Sequence, residues 1–148
     1  MANKDIVSEF VHNNLVGKPD PDAIPRMHRM LYIDRSITDI NVKDSTFDDW
    51  TALHNQALYG TTGSVAWLLR QDPPPDINVR TSFQVTPLMF AAYSNEDSEG
   101  KVRLLLDHGA DRDIKDKYGN TALYYARYTN KPAAVIDMLE NYRPDVSR

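Results

Sequence analysis

Apolar positions in this chain fall in short blocks at helical spacing. Residues 5–15 set Ile6, Val7, Phe10 and Val11 along one side of a predicted helix that Gly17 closes. The turn-rich connection Lys18-Pro19-Asp20-Pro21-Asp22 follows, and a second predicted helix over residues 26–33 turns Met27, Met30 and Leu31 inward. Three later blocks are more apolar: Val65, Trp67, Leu68 and Leu69; Val102, Leu104, Leu105 and Leu106; Val135, Ile136, Met138 and Leu139. Each is preceded by a short predicted helix whose inner side carries small residues, Ala57, then Ala91 and Ala92, then Ala126. Small side chains let a neighbouring helix approach closely. The expected fold class is all-α, built from paired helices.

Two markers keep a common period. Thr51-Ala52-Leu53-His54, Thr86-Pro87-Leu88-Met89 and Thr121-Ala122-Leu123-Tyr124 recur at intervals of 35 residues. Asp39-Ile40-Asn41-Val42 returns as Asp76-Ile77-Asn78-Val79 and again as Asp111-Arg112-Asp113-Ile114. The threonine of the first marker is a helix N-cap, its hydroxyl accepting an orphan backbone N–H of the first turn. Pro87 suits the next position, where no N–H is lost. One such helix pair cannot bury its own apolar side, so stacking on neighbours is obligatory.

These markers, with Leu104-Leu105-Leu106-Asp107-His108-Gly109-Ala110-Asp111 and Asp116-Lys117-Tyr118-Gly119-Asn120-Thr121-Ala122-Leu123, resemble the ankyrin repeat over residues 39–140. The resemblance implies an α-solenoid of helix-turn-helix units with projecting hairpins. It divides the chain into repeats of about 1–44, 45–80, 81–116 and 117–148 within a single domain, the first and last serving as degenerate caps. The chain departs from the family's period of about 33 in two places. Extra residues fall at Gln71-Asp72-Pro73-Pro74-Pro75 and at Asn95-Glu96-Asp97-Ser98-Glu99-Gly100, and the hairpin between Asn41 and Thr51 is longer than its counterparts by two. The hairpin glycine survives only as Gly119, with Asp49 and Gln84 in its place elsewhere. A residue with a Cβ resists positive φ, so those two turns are expected to be reshaped.

Composition narrows the function. A chain of 148 residues with 41% hydrophobic and 26% charged side chains is expected to be soluble and globular. Its net charge of −4 supplies no basic field for nucleic acid. The absence of cysteine removes disulfides, thiolate metal sites and cysteine nucleophiles. No secretory h-region and no apolar run of about 20 residues is present, so a cytoplasmic protein without membrane segments is expected.

Candidate chemistry is sparse. No phosphate-binding glycine loop, zinc-protease motif or nucleophile elbow occurs. His12, His28, His54 and His108 fall one to a repeat. In the family's pattern His54 makes a structural hydrogen bond near its helix start, and His108 stands at a helix end, where a donor suits the exposed carbonyls. His12 and His28 are candidates to face each other across the first helix pair, without a placed carboxylate for a metal. Asp44, Asp48 and Asp49 on one hairpin, and Glu96, Asp97 and Glu99 in the insertion, read as exposed loop acids rather than an acid–base pair. Non-enzymatic function, without cofactor or metal, is expected.

The resemblance implies a different use. Ankyrin proteins generally bind other proteins through hairpin tips and the exposed side of each first helix, the concave face. Carried onto this chain, those positions include Phe47, Asp48, Trp50, Leu58 and Tyr59; Arg80, Phe83, Val85 and Tyr93; Lys115, Lys117, Tyr118 and Tyr128. Seven of the 18 positions so mapped are aromatic, where the chain's 14 aromatics would place about two at random. Aromatic side chains give large contact area at low entropic cost. Trp50, Phe83 and Tyr118 are expected to line up on successive hairpins, with Asp48, Arg80, Lys115 and Lys117 as a polar rim. The competing reading is structural: turns without glycine need an aromatic lid. The expected function is binding of a folded protein partner by a chain monomeric when free, with masking, inhibition (as in an immunity protein) or scaffolding as its effect. The alternative is a subunit whose aromatic surface is used in self-association or a permanent assembly. Asn41 and Asn78 occupy a position hydroxylated in some ankyrin proteins, and are read here as hairpin residues.

Overall fold

A computed structural model describes residues 4–12 and 19–143. The predicted extension of the first helix to residue 15, with Gly17 and with Lys18 of the connection, lies outside the described residues. Eight α-helices are described, in four consecutive pairs: α1 (Lys4–Val11) with α2 (Ala23–His28), α3 (Ala52–Tyr59) with α4 (Thr62–Leu69), α5 (Pro87–Tyr93) with α6 (Ser98–Asp107), and α7 (Ala122–Tyr128) with α8 (Ala133–Asn141). One wide π-type turn over Arg29–Ile33 continues α2.

The helices begin where the capping residues stand. Thr51 and Thr86 have extended backbone, and their hydroxyls accept from the N–H of His54 (3.4 Å) and Met89 (3.3 Å). The cap of α4 is reciprocal: Thr61 Oγ1 accepts from Ser64 N, and Ser64 Oγ accepts from Thr61 N. Thr121 keeps the extended backbone but makes no side-chain cap bond.

The helices form two layers. α3, α5 and α7 pack side by side as the inner layer; α4, α6 and α8 lie behind them. Ala57, Ala91, Ala92 and Ala126 are fully buried between the layers, where their small side chains permit close approach. Leu53, Leu68, Leu88 and Leu105 fill the same continuous core. Met27 and Met30 bring the first pair into it. Among the described residues no extended strand occurs; Asp44 and Trp50 alone form a bridge.

The two hairpin turns that lack glycine behave differently from each other. Asp49 and Gln84 hold φ of +58° and +63°, in the left-handed region where Gly119 stands at +81°. Gln84 keeps the single left-handed turn that Gly119 makes, whereas Asp49 follows a second left-handed residue, Asp48 (φ +52°). The expected reshaping is absent at Gln84, where Thr81 N→Val85 O (3.0 Å) closes the turn over the same span as Asp116 N→Asn120 O (2.9 Å), and present at Asp49, where Asp44 N→Trp50 O (2.8 Å) closes a loop two residues longer.

Polar bonds also join the repeats. Asn41 Oδ1 accepts from Asp76 N (2.7 Å), and Asn78 Oδ1 from Asp111 N (2.9 Å). Within each loop the aspartate two residues earlier, Asp39 or Asp76, accepts from the asparagine's own N–H. Between α4 and α6, Thr62 donates to Asp97, the left-handed residue that opens α6. Lys101 of α6 is wholly buried, donating to Gly60 O and Ser94 Oγ, both at 2.9 Å.

Candidate protein-binding face

Each projecting hairpin is pinned from within by one side-chain oxygen. Asp44 accepts from Thr46 N and Oγ1 (2.9 and 2.5 Å). Thr81 Oγ1 accepts from Phe83 N and Val85 N (both 3.2 Å), and Asp116 Oδ1 from Tyr118 N and Asn120 N (2.9 and 3.0 Å). Asp44 is therefore a buried turn residue, which corrects the expectation that it is an exposed loop acid. Burial pushes its carboxyl up, but bonds from Thr46 and Ser8 and the neighbouring His12 outweigh this and leave it below the usual carboxylate range.

Adjacent hairpins are stitched tip to tip by single backbone bonds, Ser82 N→Asp48 O and Lys117 N→Phe83 O, both 2.9 Å. Asp48, Phe83 and Tyr118 thereby occupy equivalent places along one edge. Phe83 and Tyr118 are 37% and 69% exposed. Lys117 Nζ lies 5.4 Å from the centre of the Phe83 ring, a cation–π contact.

Trp50 does not join that line. It is half-buried at the hairpin base, its ring 4.6 Å from Phe90 and 5.2 Å from Phe47. The two extra residues of this hairpin carry Phe47 back over His12, with ring centres 4.7 Å apart. His12 contacts Asp44 at 3.3 Å, whereas His28 meets Tyr32 at a tilt and Trp67 edge-on. The two histidines thus belong to different clusters and do not face each other. Burial lowers the pKa of His12 against the opposing pull of Asp44.

On the inner layer, the side turned away from α4, α6 and α8 carries a second group of rings. Tyr93 meets Tyr125 edge-on at 6.4 Å; Tyr125 meets Tyr124 at 5.3 Å, and Tyr124 stacks on Tyr128 at 6.0 Å. Between the two aromatic groups runs an apolar groove of about 170 Å³, lined by Leu58, Val85, Met89, Phe90, Tyr93 and Tyr125. Leu58, Val85 and Tyr93 were expected on the binding face, and the groove brings them together. Tyr59 ends α3 half-buried outside the groove lining, and Tyr128 is 68% exposed at the end of α7. Asp48, Arg80, Lys115 and Lys117 are exposed.

Phe90 and Tyr125 line the groove without being among the residues expected on the binding face. Both stand four residues after the capping threonine, one helical turn before Tyr93-Ser94 and Tyr128-Thr129, so spacing alone puts them on the same side. Tyr125 also donates its hydroxyl to Asp116, tying helix face to hairpin. Burial, followed by this bond and the carboxylate charge, raises its pKa to about 12.

The remaining titratable groups serve the frame. His54 Nδ1 accepts from Thr51 N (3.0 Å), which places the proton on Nε2, shared between Val79 O and Val85 O, both 3.0 Å. Burial brings its pKa down to about 4, so the ring is neutral near pH 7. His108 Nδ1 lies 2.9 Å from Leu104 O at the end of α6, just before Gly109 (φ +88°). Among the described residues no cluster of three or more histidines and acids is placed to hold a metal ion, and no helix is long and apolar enough to cross a membrane.

The model of a family described as ankyrin repeats in three copies matches residues 3–111 and 63–148. The chain belongs to the ankyrin-repeat family. A transient receptor potential cation channel subfamily A member 1 homolog of Caenorhabditis elegans is 35% identical over 133 residues, covering 82% of this chain. The chain spans about 10% of the length of that relative. Ankyrin repeats are generally protein–protein interaction modules.

Proposed function

We propose that this chain is a non-enzymatic binding module that holds a protein partner against the inner-layer groove and the hairpin tips, and so masks, inhibits or scaffolds it. The observation that supports this reading is the apolar groove flanked by partly exposed rings, Phe83, Tyr93, Tyr118 and Tyr128, which the stack's own core does not require. On this reading residues 1–148 act as one domain of four repeats, monomeric when free and working in the cytoplasm. The channel homolog shares only a small stretch of its length, so what carries over is the repeat stack and not channel activity.

The test compares wild type with a Phe83→Ala/Tyr93→Ala/Tyr118→Ala variant of unchanged circular dichroism in affinity capture from native lysate. A stoichiometric partner held by the wild type and lost by the variant supports the reading. A partner retained by both moves the site elsewhere. A mass that grows with concentration in light scattering, and reverts in the variant, would assign the face to self-association or a permanent assembly instead.

A further inference from the structure

Among the described residues two buried polar atoms complete no hydrogen bond: His12 Nε2 at the end of α1 and Asp44 Oδ2 at the root of the second hairpin. They lie 3.3 Å apart, within ion-pair range, on side chains 22% and 1% exposed. Buried polar groups are ordinarily bonded, so an unfinished pair calls for a reason. The rest of the contact is complete. Asp44 accepts from Thr46 N and Oγ1 and from Ser8, which stands one helical turn before His12 on α1. Phe47 meets the imidazole edge-on at 4.7 Å, and Trp50 tilts against it at 5.7 Å. α1 thus closes on the second hairpin through two side chains of one face, Ser8 and His12.

One proton decides how well this contact holds. A neutral His12 sits between the two rings at little cost. A charged one must be held where little water reaches, beside a carboxylate whose charge is already shared among Thr46 N, Thr46 Oγ1 and Ser8. Burial outweighs the attraction of Asp44 and holds the imidazole pKa below its ordinary 6.5. Asp44 is likewise held below the usual carboxylate range, so acid works against both halves of the pair. The other charged groups of the packed elements are engaged elsewhere. Glu9 of α1 lines a separate cleft with Asp22 and Arg26, and Asp5 stands about two turns back along the helix. Lys43 donates to Arg80 O, Asp48 and Asp49 occupy the left-handed turn, and His54 of α3 is shared between Val79 O and Val85 O.

From this geometry we infer that α1 is an acid-released clamp on the second hairpin: when His12 takes up a proton, Ser8 and His12 let go of Asp44, and Phe47 and Trp50 lose the cover of α1. The loosening reaches the tip line at its first stitch, where Asp48 O accepts from Ser82 N. Trp50 also touches Phe90, a wall of the groove, at 4.6 Å, so the released hairpin and the groove share a contact. What this does to a partner rests on the binding-module reading above; the clamp itself does not.

The experiment is amide hydrogen exchange of the full chain, read by NMR at pH 7.5 and 5.5 and corrected for the intrinsic pH dependence of exchange. His54, with its pKa near 4, stays neutral across that range. If the open state binds the proton at 6.5 and the closed state hardly binds it, opening is favoured at pH 5.5 by at most about tenfold. Protection of the Asp44 and Trp50 amides, and of His12 N on Ser8 O, is expected to fall severalfold toward that limit, while the amides of α5 and α6 hold theirs. His12→Gln, polar but without the titration, is expected to abolish the pH effect. His12→Phe, which keeps the ring packing, carries the same comparison if the glutamine variant loosens α1 at both pH values. An imidazole signal of His12 that titrates at or above 6.5 overturns the clamp. So does protection that stays level or rises at pH 5.5, or an equal fall in wild type and variants. Partner capture is measured at pH 7.5, with the clamp closed. Its failure removes the binding face and leaves the clamp, and a clamp that fails leaves the binding face.

Discussion

Lys101 gives the sharpest energetic prediction. Its side chain is wholly buried between the second and third repeats, and its ammonium has only two neutral acceptors, Gly60 O and Ser94 Oγ. Burial lowers its pKa from 10.5 to about 8, against the pull of Asp97 and Glu96 and with the help of Lys131. That fall corresponds to about 3 kcal/mol of penalty on the charged form. Below pH 8 folded and unfolded chains both hold the proton, so the penalty is fully present. Between pH 8 and 10.5 the unfolded chain binds more protons than the folded one, so stability rises with pH. Working this through from pH 7 to about 9.5 gives a gain of about 2 kcal/mol. Lys101→Met abolishes the titration and removes both hydrogen bonds, so at pH 7 the lost penalty and the lost bonds, about 1 kcal/mol or more each, nearly offset. Urea denaturation followed by circular dichroism across that range reads the difference. The wild-type curve should climb relative to the variant by about 2 kcal/mol. Parallel pH profiles, or a wild type that falls away from the variant, would refute the argument.

Three further outcomes follow from the geometry. His54, neutral in the fold with its pKa near 4, contributes stability that is complete above pH 6.5 and lost by about 3 kcal/mol as the pH falls toward 4; an imidazole NMR signal that titrates near 6.5 in the folded protein would contradict this. Gln84→Gly relieves a left-handed φ of +63° at some cost in chain entropy, for a net gain of about 0.5–1 kcal/mol and a higher thermal midpoint. Trp50→Ala removes packing on Phe90 and Phe47 and costs about 2–3 kcal/mol in chemical denaturation, whereas Tyr118→Ala, at a site 69% exposed, stays within about 0.5 kcal/mol.

The repeat stack is legible because its signals are local. Threonine caps, buried alanines and leucine blocks each report a backbone position directly, and they place six of the helices. The first pair is less plain: the second helix begins at Ala23 rather than 26, and its wide final turn has no composition marker. The hairpins resist reading for a physical reason. Asp44, Thr81 and Asp116 pin each turn from inside, and this support lets Asp49 and Gln84 occupy a conformation that intrinsic preference alone disfavours. Trp50 is misplaced because an aromatic at a surface position and one capping a neighbouring ring look the same in sequence. Phe90 and Tyr125 were missed by counting family positions instead of following the helical face to its next turn.

The asparagine rungs have a mechanical consequence. Asn41 and Asn78 clasp one edge of the two joints between the last three helix-pair loops, while Ser82–Asp48 and Lys117–Phe83 clasp the opposite edge. A joint held at both margins by backbone donors resists gaping on either side, and rotation about the line through the clasps is its softest motion. The stack then behaves as a torsion spring: its tips keep their spacing while their relative angle adjusts, so a partner whose contacts are correctly spaced but skewed is still accommodated.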